Sequence, residues 1–108
     1  MNHWGVESGN LPELHEPFIE MILEVAEAGK KTAKAYYNAP GWVVYMITNI
    51  WGYSSPGEEA SWGASTASGW LCNHLWEHYQ FTQDTAYLRR VYPILVDAAR
   101  FYEHTMIE

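Results

Sequence analysis

Residues 18–37 read FIEMILEVAEAGKKTAKAYY, and the spacing of their apolar members decides how the chain folds. Phe18, Ile22, Val25, Ala26, Gly29, Ala33 and the pair Tyr36 and Tyr37 recur with the period of a helix that has one apolar face. Glu20, Glu24, Glu27, Lys31 and Lys34 fall on the other face, and Glu27 precedes Lys31 at the i,i+4 spacing that favours an ion pair. Gly29 lies inside the pattern, where it either admits a close neighbour or ends the first helical piece. Upstream, Asn10-Leu11-Pro12-Glu13 reads as a helix start, with Asn as N-cap, Pro early and Glu at N3 to complete a capping box. Pro17 then restarts or kinks that helix. Downstream, Asn38-Ala39-Pro40-Gly41 ends it.

Further along, residues 42–51 (WVVYMITNIW) are β-branched and aromatic, so they are expected to be extended or to form a buried irregular segment. Residues 52–63 hold Gly, Pro and Ser in the manner of a long loop. A second helix is expected over residues 64–79. Thr82-Gln83-Asp84-Thr85 caps a third, whose apolar stripe carries Tyr87, Leu88, Val91 and Tyr92. Pro93 kinks or restarts that helix, and Ile94, Leu95, Ala98, Phe101 and Tyr102 continue its stripe to the C-terminus. The fold class is therefore all-α, with long Gly-rich connections and no internal repeat or linker. The first residues read like the middle of a helix and the last helix has no stop signal. Helices this apolar cannot easily cover one another at a length where only about 65% of the unfolded surface is buried. Residues 1–108 are accordingly expected to be one part of a larger domain.

Composition narrows the chemistry. Six Lys+Arg against thirteen Asp+Glu give a formal net charge of −7, which argues against nucleic acid and against an anionic membrane surface, since both call for basic patches. No apolar run approaches the roughly 18–20 residues that span a bilayer, and no signal-peptide pattern opens the chain. The single cysteine, Cys72, leaves no internal disulfide and no multi-Cys zinc site. Six Trp, eight Tyr and three Phe are the anomaly. Aromatic residues of this kind serve a core through the area they bury, or a carbohydrate site where flat apolar sugar faces rest on the rings. On composition alone the core reading comes first.

The chemistry concentrates in Trp70-Leu71-Cys72-Asn73-His74-Leu75-Trp76-Glu77-His78-Tyr79. His74-Leu75-Trp76-Glu77-His78 fits H-x-x-E-H, in which two histidines on one helix face hold zinc and Glu acts as general base, but a third ligand is needed and only Glu103 and His104 offer themselves. A nucleophilic Cys72 lacks a partnering base, and a lone helical cysteine is more often a small buried hydrophobe. A third reading makes Glu77 a general acid: an apolar wall keeps a carboxylic acid protonated, a nearby imidazolium does the opposite, and glycoside hydrolysis needs such a proton donor for the leaving oxygen. Against it stands a solvated Glu on an exposed helix face. Elsewhere, His15-Glu16 cannot complete H-E-x-x-H and reads as helix-start chemistry. Glu58-Glu59 read as solvated loop charge, and His3 and Trp4 as residues that line a pocket or pack beneath one.

Taken in order, several elements form one signature. They are Met1-Asn2-His3-Trp4, Asn10-Leu11-Pro12-Glu13-Leu14-His15-Glu16-Pro17, Gly29-Lys30-Lys31-Thr32-Ala33-Lys34, Gly41-Trp42-Val43, Trp62-Gly63, the block from Gly69 through Tyr79, Phe81-Thr82-Gln83-Asp84 and Val91-Tyr92-Pro93-Ile94. This string resembles the catalytic domain of glycoside hydrolase family 95, the inverting α-L-fucosidases and their relatives, over essentially the whole chain. The resemblance implies antiparallel helices forming part of an (α/α)6 barrel, with the rest of the barrel supplied by the parent chain. It implies the general-acid role for Glu77, which matches the Glu of the family's WEHY motif, and an α-L-fucosyl or related glycan as substrate. Trp4, Trp51 and His74 are the candidate substrate-binding residues, and neither a cofactor nor a metal is expected. The water-activating Asn and its supporting Asp would fall before Met1 and beyond Glu108, and the parent protein would be secreted or periplasmic. Tyr45-Met46-Ile47-Thr48-Asn49 stands where many members carry His, Asn and Asp, which opens L-galactose as an alternative sugar; His3-Trp4-Gly5-Val6-Glu7 replaces Tyr-Trp-Pro-Ala-Glu. A non-catalytic helical binding module is the competing class.

Overall fold

The computed structural model of the chain describes residues 1–56 and 66–106. Its three α-helices are α1 (Glu16–Thr32), α2 (Ala67–Thr82) and α3 (Thr85–Thr105), and the described residues contain no strand. The expected Glu58-Glu59 loop and Trp62-Gly63 lie outside the described residues.

The apolar spacing of residues 18–37 does become a helix, and Ile22, Val25, Ala26, Gly29 and Ala33 are buried on one face. Ile19 joins them at 2% exposure and Tyr36 points outward, whereas Tyr37 packs edge-on against Phe101 and its hydroxyl meets that of Tyr45. The start differs from expectation. Asn10 adopts a left-handed conformation (φ 56°), a short 3-10 turn occupies Pro12–Leu14, and α1 begins only at Glu16, with Pro17 in its first turn. Residues 2–10 form successive turns rather than helix. His15 occupies the N-cap position but gives no side-chain cap, because its ring is engaged with Glu7 and His74. Glu27 pairs with Lys30 at 2.6 Å rather than with Lys31; the i,i+3 and i,i+4 neighbours lie equally close on a helix. Past Thr32 the chain widens into a π turn, Ala33–Tyr37, and stops at Asn38, which is left-handed (φ 48°).

Residues 42–45 then cross the bundle with no regular structure and are all buried. Trp42 is fully enclosed, and its indole N–H donates to the Ile94 carbonyl oxygen of α3 at 2.9 Å. Gly29 admits this crossing: a Cβ there would lie 2.6 Å from the Val43 carbonyl oxygen, and the Val43 amide donates to the Gly29 carbonyl. The main core thus joins Ile19, Ile22, Val25 and Ala26 of α1, Trp42 and Val44, Leu75 of α2, and Val91, Ile94 and Ala98 of α3.

Only Gln83 and Asp84 separate α2 from α3, so the two form an antiparallel hairpin. Asp84 caps α3 as expected, its carboxylate accepting from the amides of Ala86 and Tyr87. Two tyrosines tie the hairpin along its length. The Tyr102 hydroxyl near the end of α3 meets Ser68 and the Gly69 amide at the start of α2, and the Tyr87 hydroxyl donates to the Leu75 carbonyl. Pro93 sits inside α3 without ending it, and the helix closes at Thr105 instead of running to the last residue. Tyr92, expected on the apolar stripe, is exposed. No helix among the described residues is long and apolar enough to cross a membrane.

Candidate active site

Trp70, Asn73, His74 and Glu77 are spaced i, i+3, i+4 and i+7, so helix geometry places all of them on one stripe of α2. Trp4, carried by the N-terminal turns, hangs over that stripe with its ring 6.4 Å from Trp70 at an interplanar angle of 21°. Together these residues line a cleft of about 270 Å³. Glu77 makes no ion pair or hydrogen bond among the described residues, so its carboxyl group is unengaged. Its aromatic neighbours in the cleft are Trp4 and Trp70, not the adjacent Trp76, which packs against Tyr79 on another face of the helix. Of the candidate site residues, Trp4, His74 and Glu77 are brought together, while Trp51 is 86% exposed and does not line the cleft.

Behind the stripe lies a feature that no local pattern announces. Glu7, His15, His74 and His78 are all buried and converge from the N-terminal turns, the start of α1 and the middle of α2. One oxygen of Glu7 accepts from the Nδ1 atoms of His15, at 2.8 Å, and His78. His15 Nε2 reaches on to His74 Nδ1 at 3.2 Å. Phe18 seals the group edge-on against His74. Burial lowers the His74 pKa to about 4, and the neighbouring His15 adds to the shift; both effects disfavour the imidazolium. His74 is therefore neutral at neutral pH.

The histidines of H-x-x-E-H consequently go different ways: His74 bonds to His15 and forms part of the Glu77 cleft, whereas His78 bonds to Glu7 and faces another cleft. The donor atoms of Glu7, His15 and His78 lie within 4.8 Å of one another and are the set among the described residues able to hold a cation. In this structure they are hydrogen-bonded to each other, so coordination would have to break those bonds. Cys72 is half-buried against the core, and desolvation pushes its thiol up to about 12. A thiol that stays protonated at neutral pH is a poor nucleophile.

Two further concavities flank the site. One, about 670 Å³, is walled by Glu13, Glu16, Glu20, Asp84, His78 and Arg90 among others, and contains none of the candidate site residues. A third, about 310 Å³ and mostly apolar, lies on the far side of Trp70, between residues 45–48 and the start of α2. Among the described residues, the Glu77 cleft joins an unengaged carboxyl group to indole faces.

The family model described as the glycosyl hydrolase family 95 catalytic domain matches residues 1–108. The chain is 39% identical over 104 residues to "Alpha-L-fucosidase 2" of Arabidopsis thaliana, covering 94% of this chain and 12% of that protein. It is 34% identical over 112 residues to "Probable alpha-fucosidase A" of Aspergillus niger, covering 100% of this chain and 14% of that protein. The chain thus spans about one-eighth of the length of these curated relatives. With the all-helical fold and the block carrying Trp70, His74 and Glu77 in place, the chain belongs to glycosyl hydrolase family 95.

Proposed function

We propose that these residues form part of a larger (α/α)6-barrel catalytic domain of an inverting exo-glycosidase acting on α-L-fucosyl or closely related L-sugar linkages, with Glu77 as the general acid. The observation that carries this reading is the unengaged Glu77 carboxyl group in a cleft with Trp4 and Trp70. An indole face accepts the apolar face of a sugar, and a carboxylic acid beside it delivers a proton to the bridging oxygen as the glycosidic bond breaks. Inversion also needs an activated water on the opposite face of the sugar, roughly 6.5–9.5 Å from the acid in the usual two-carboxylate form. The remainder of the barrel would supply that side. Trp4 and His74 would contact the sugar directly, and Trp51 would do so only in a barrel that brings substrate to its exposed ring. The names of the two relatives favour fucose. L-galactose is the alternative, because Tyr45-Met46-Ile47-Thr48-Asn49 changes the polar groups on offer.

The test is Glu77→Gln in the longer protein that carries this segment. Activity on an aryl α-L-fucoside is expected to fall about 10²–10⁴-fold. Hydrolysis of the α-L-fucosyl fluoride, whose leaving group needs no protonation by a strong acid, should fall much less. Undiminished aryl-fucoside hydrolysis would overturn the assignment. Release of β-L-fucose as the first product, followed by proton NMR, checks inversion.

A further inference from the structure

We infer that Glu7 and His15 are positioning residues that fix the tautomer of His74, so that its Nε2 is presented to the cleft as a hydrogen-bond acceptor for a substrate hydroxyl. This deepens the reading above and rests on it for the identity of the ligand.

An ionised carboxylate only accepts, so the Glu7 oxygen must be met by N–H groups from both His15 Nδ1 and His78 Nδ1. His15 has no exposed surface, and its ring is surrounded by His3, Phe18, His74 and His78. A His15 ring that carries its one hydrogen on Nδ1, facing Glu7, keeps a bare Nε2. That atom lies 3.2 Å from His74 Nδ1, so His74 must be the donor there. A neutral His74 with its hydrogen on Nδ1 has a bare Nε2, and this is the ring nitrogen left for whatever enters the cleft that His74 helps to wall. The carboxylate at one end therefore dictates the polarity of the ring at the other. A free imidazole can turn either nitrogen to a ligand; this one is committed to accepting, which discriminates a hydroxyl from a hydroxyl-free position.

The first readout needs no activity. In the longer protein labelled with ¹⁵N-histidine, with the His74 resonances identified through His74→Gln, His74 should show a protonated Nδ1 and a bare Nε2 at neutral pH. A protonated Nε2 overturns the proposal whatever the enzyme's activity. His15→Asn should release the constraint and populate the Nε2–H tautomer. The second readout compares kcat/KM for an aryl α-L-fucoside and its monodeoxy analogues. His74→Gln and His15→Asn should lower kcat/KM for the parent sugar about 3- to 10-fold, the worth of one uncharged hydrogen bond. One deoxy analogue should be insensitive to both substitutions. Equal losses on every analogue would show a merely structural role and reject the proposal. Failure of the Glu77 assignment would leave the tautomer result standing and is thereby distinguishable.

Discussion

His74 has traded basicity for placement. Its pKa of about 4 lies below the ordinary 6.5, so the unfolded chain binds a proton there more readily than the folded one. The sign follows from linkage: the stability associated with keeping this ring neutral is fully present above pH 6.5 and is lost as pH falls from there toward about 4. One titrating proton gives a slope of about 1.4 kcal/mol per pH unit in that window. Denaturant unfolding of the longer protein at a series of pH values should show this decline, and His74→Gln should flatten it. An unchanged slope in the variant would mean that the ring is not held neutral by the fold. Glu7 plays the complementary part. Buried without its two histidine donors it would be an uncompensated charge, and through them it ties the N-terminal turns that carry Trp4 to α1 and α2. The cap that Asn10 and Glu13 promise is absent because Asn10 is left-handed and a 3-10 turn over Pro12–Leu14 intervenes before α1.

Among the elements, the irregular crossing of residues 42–45 is the piece on which the helices depend. Two glycines admit it from opposite sides. Gly29 of α1 lets the Val43 carbonyl approach to where a Cβ would be 2.6 Å away, and Gly41 combines φ +80° with a position where a Cβ would meet the Asp97 carbonyl of α3 at 2.0 Å. In both cases the obstacle is backbone that cannot swing aside. Gly41→Ala should therefore cost about 3 kcal/mol or more, from strain and clash together. Gly5→Ala is the control, since nothing lies within 4 Å of that position, and it should change stability by less than about 1 kcal/mol. Unfolding midpoints of the two variants check the contrast. The α2–α3 hairpin depends less on glycine and more on its Asp84 cap and on the tyrosine hydroxyls that bond across it.

At the scale of the whole molecule, the exposed apolar side chains fit the proposal that this segment packs within a larger barrel. Trp51, Ile50, Met46 and Trp70 are all more than half exposed, and the chain spans only 12% and 14% of its two relatives. A barrel with further helices would cover such surface and carry the water-activating side of the reaction. The 108-residue chain on its own is accordingly expected to hydrolyse aryl α-L-fucosides no faster than background, while the longer protein turns them over. Near-parental rates from the short chain would refute the division of the site between segments.

The apolar period of residues 18–37, the Asp84 cap and the stop at Asn38 were legible in the sequence, because each is local physics: side chains three or four apart share a helix face, and a carboxylate accepts from amides two and three residues on. The block from Trp70 to Tyr79 was legible as the seat of the chemistry, with His74 and Glu77 in it, but Trp70 and Asn73 as partners of Glu77 in one cleft were not. What depended on distance in space was not. Glu7 meets His15 and His78 across eight and 71 residues of chain, and Trp4 closes over Trp70 rather than Trp76 flanking Glu77. A sequence pattern reports which residues share an element. Only the folded chain decides which elements share a void and where a buried carboxylate finds its donors, since that choice minimises the desolvation of the whole group rather than of any one residue.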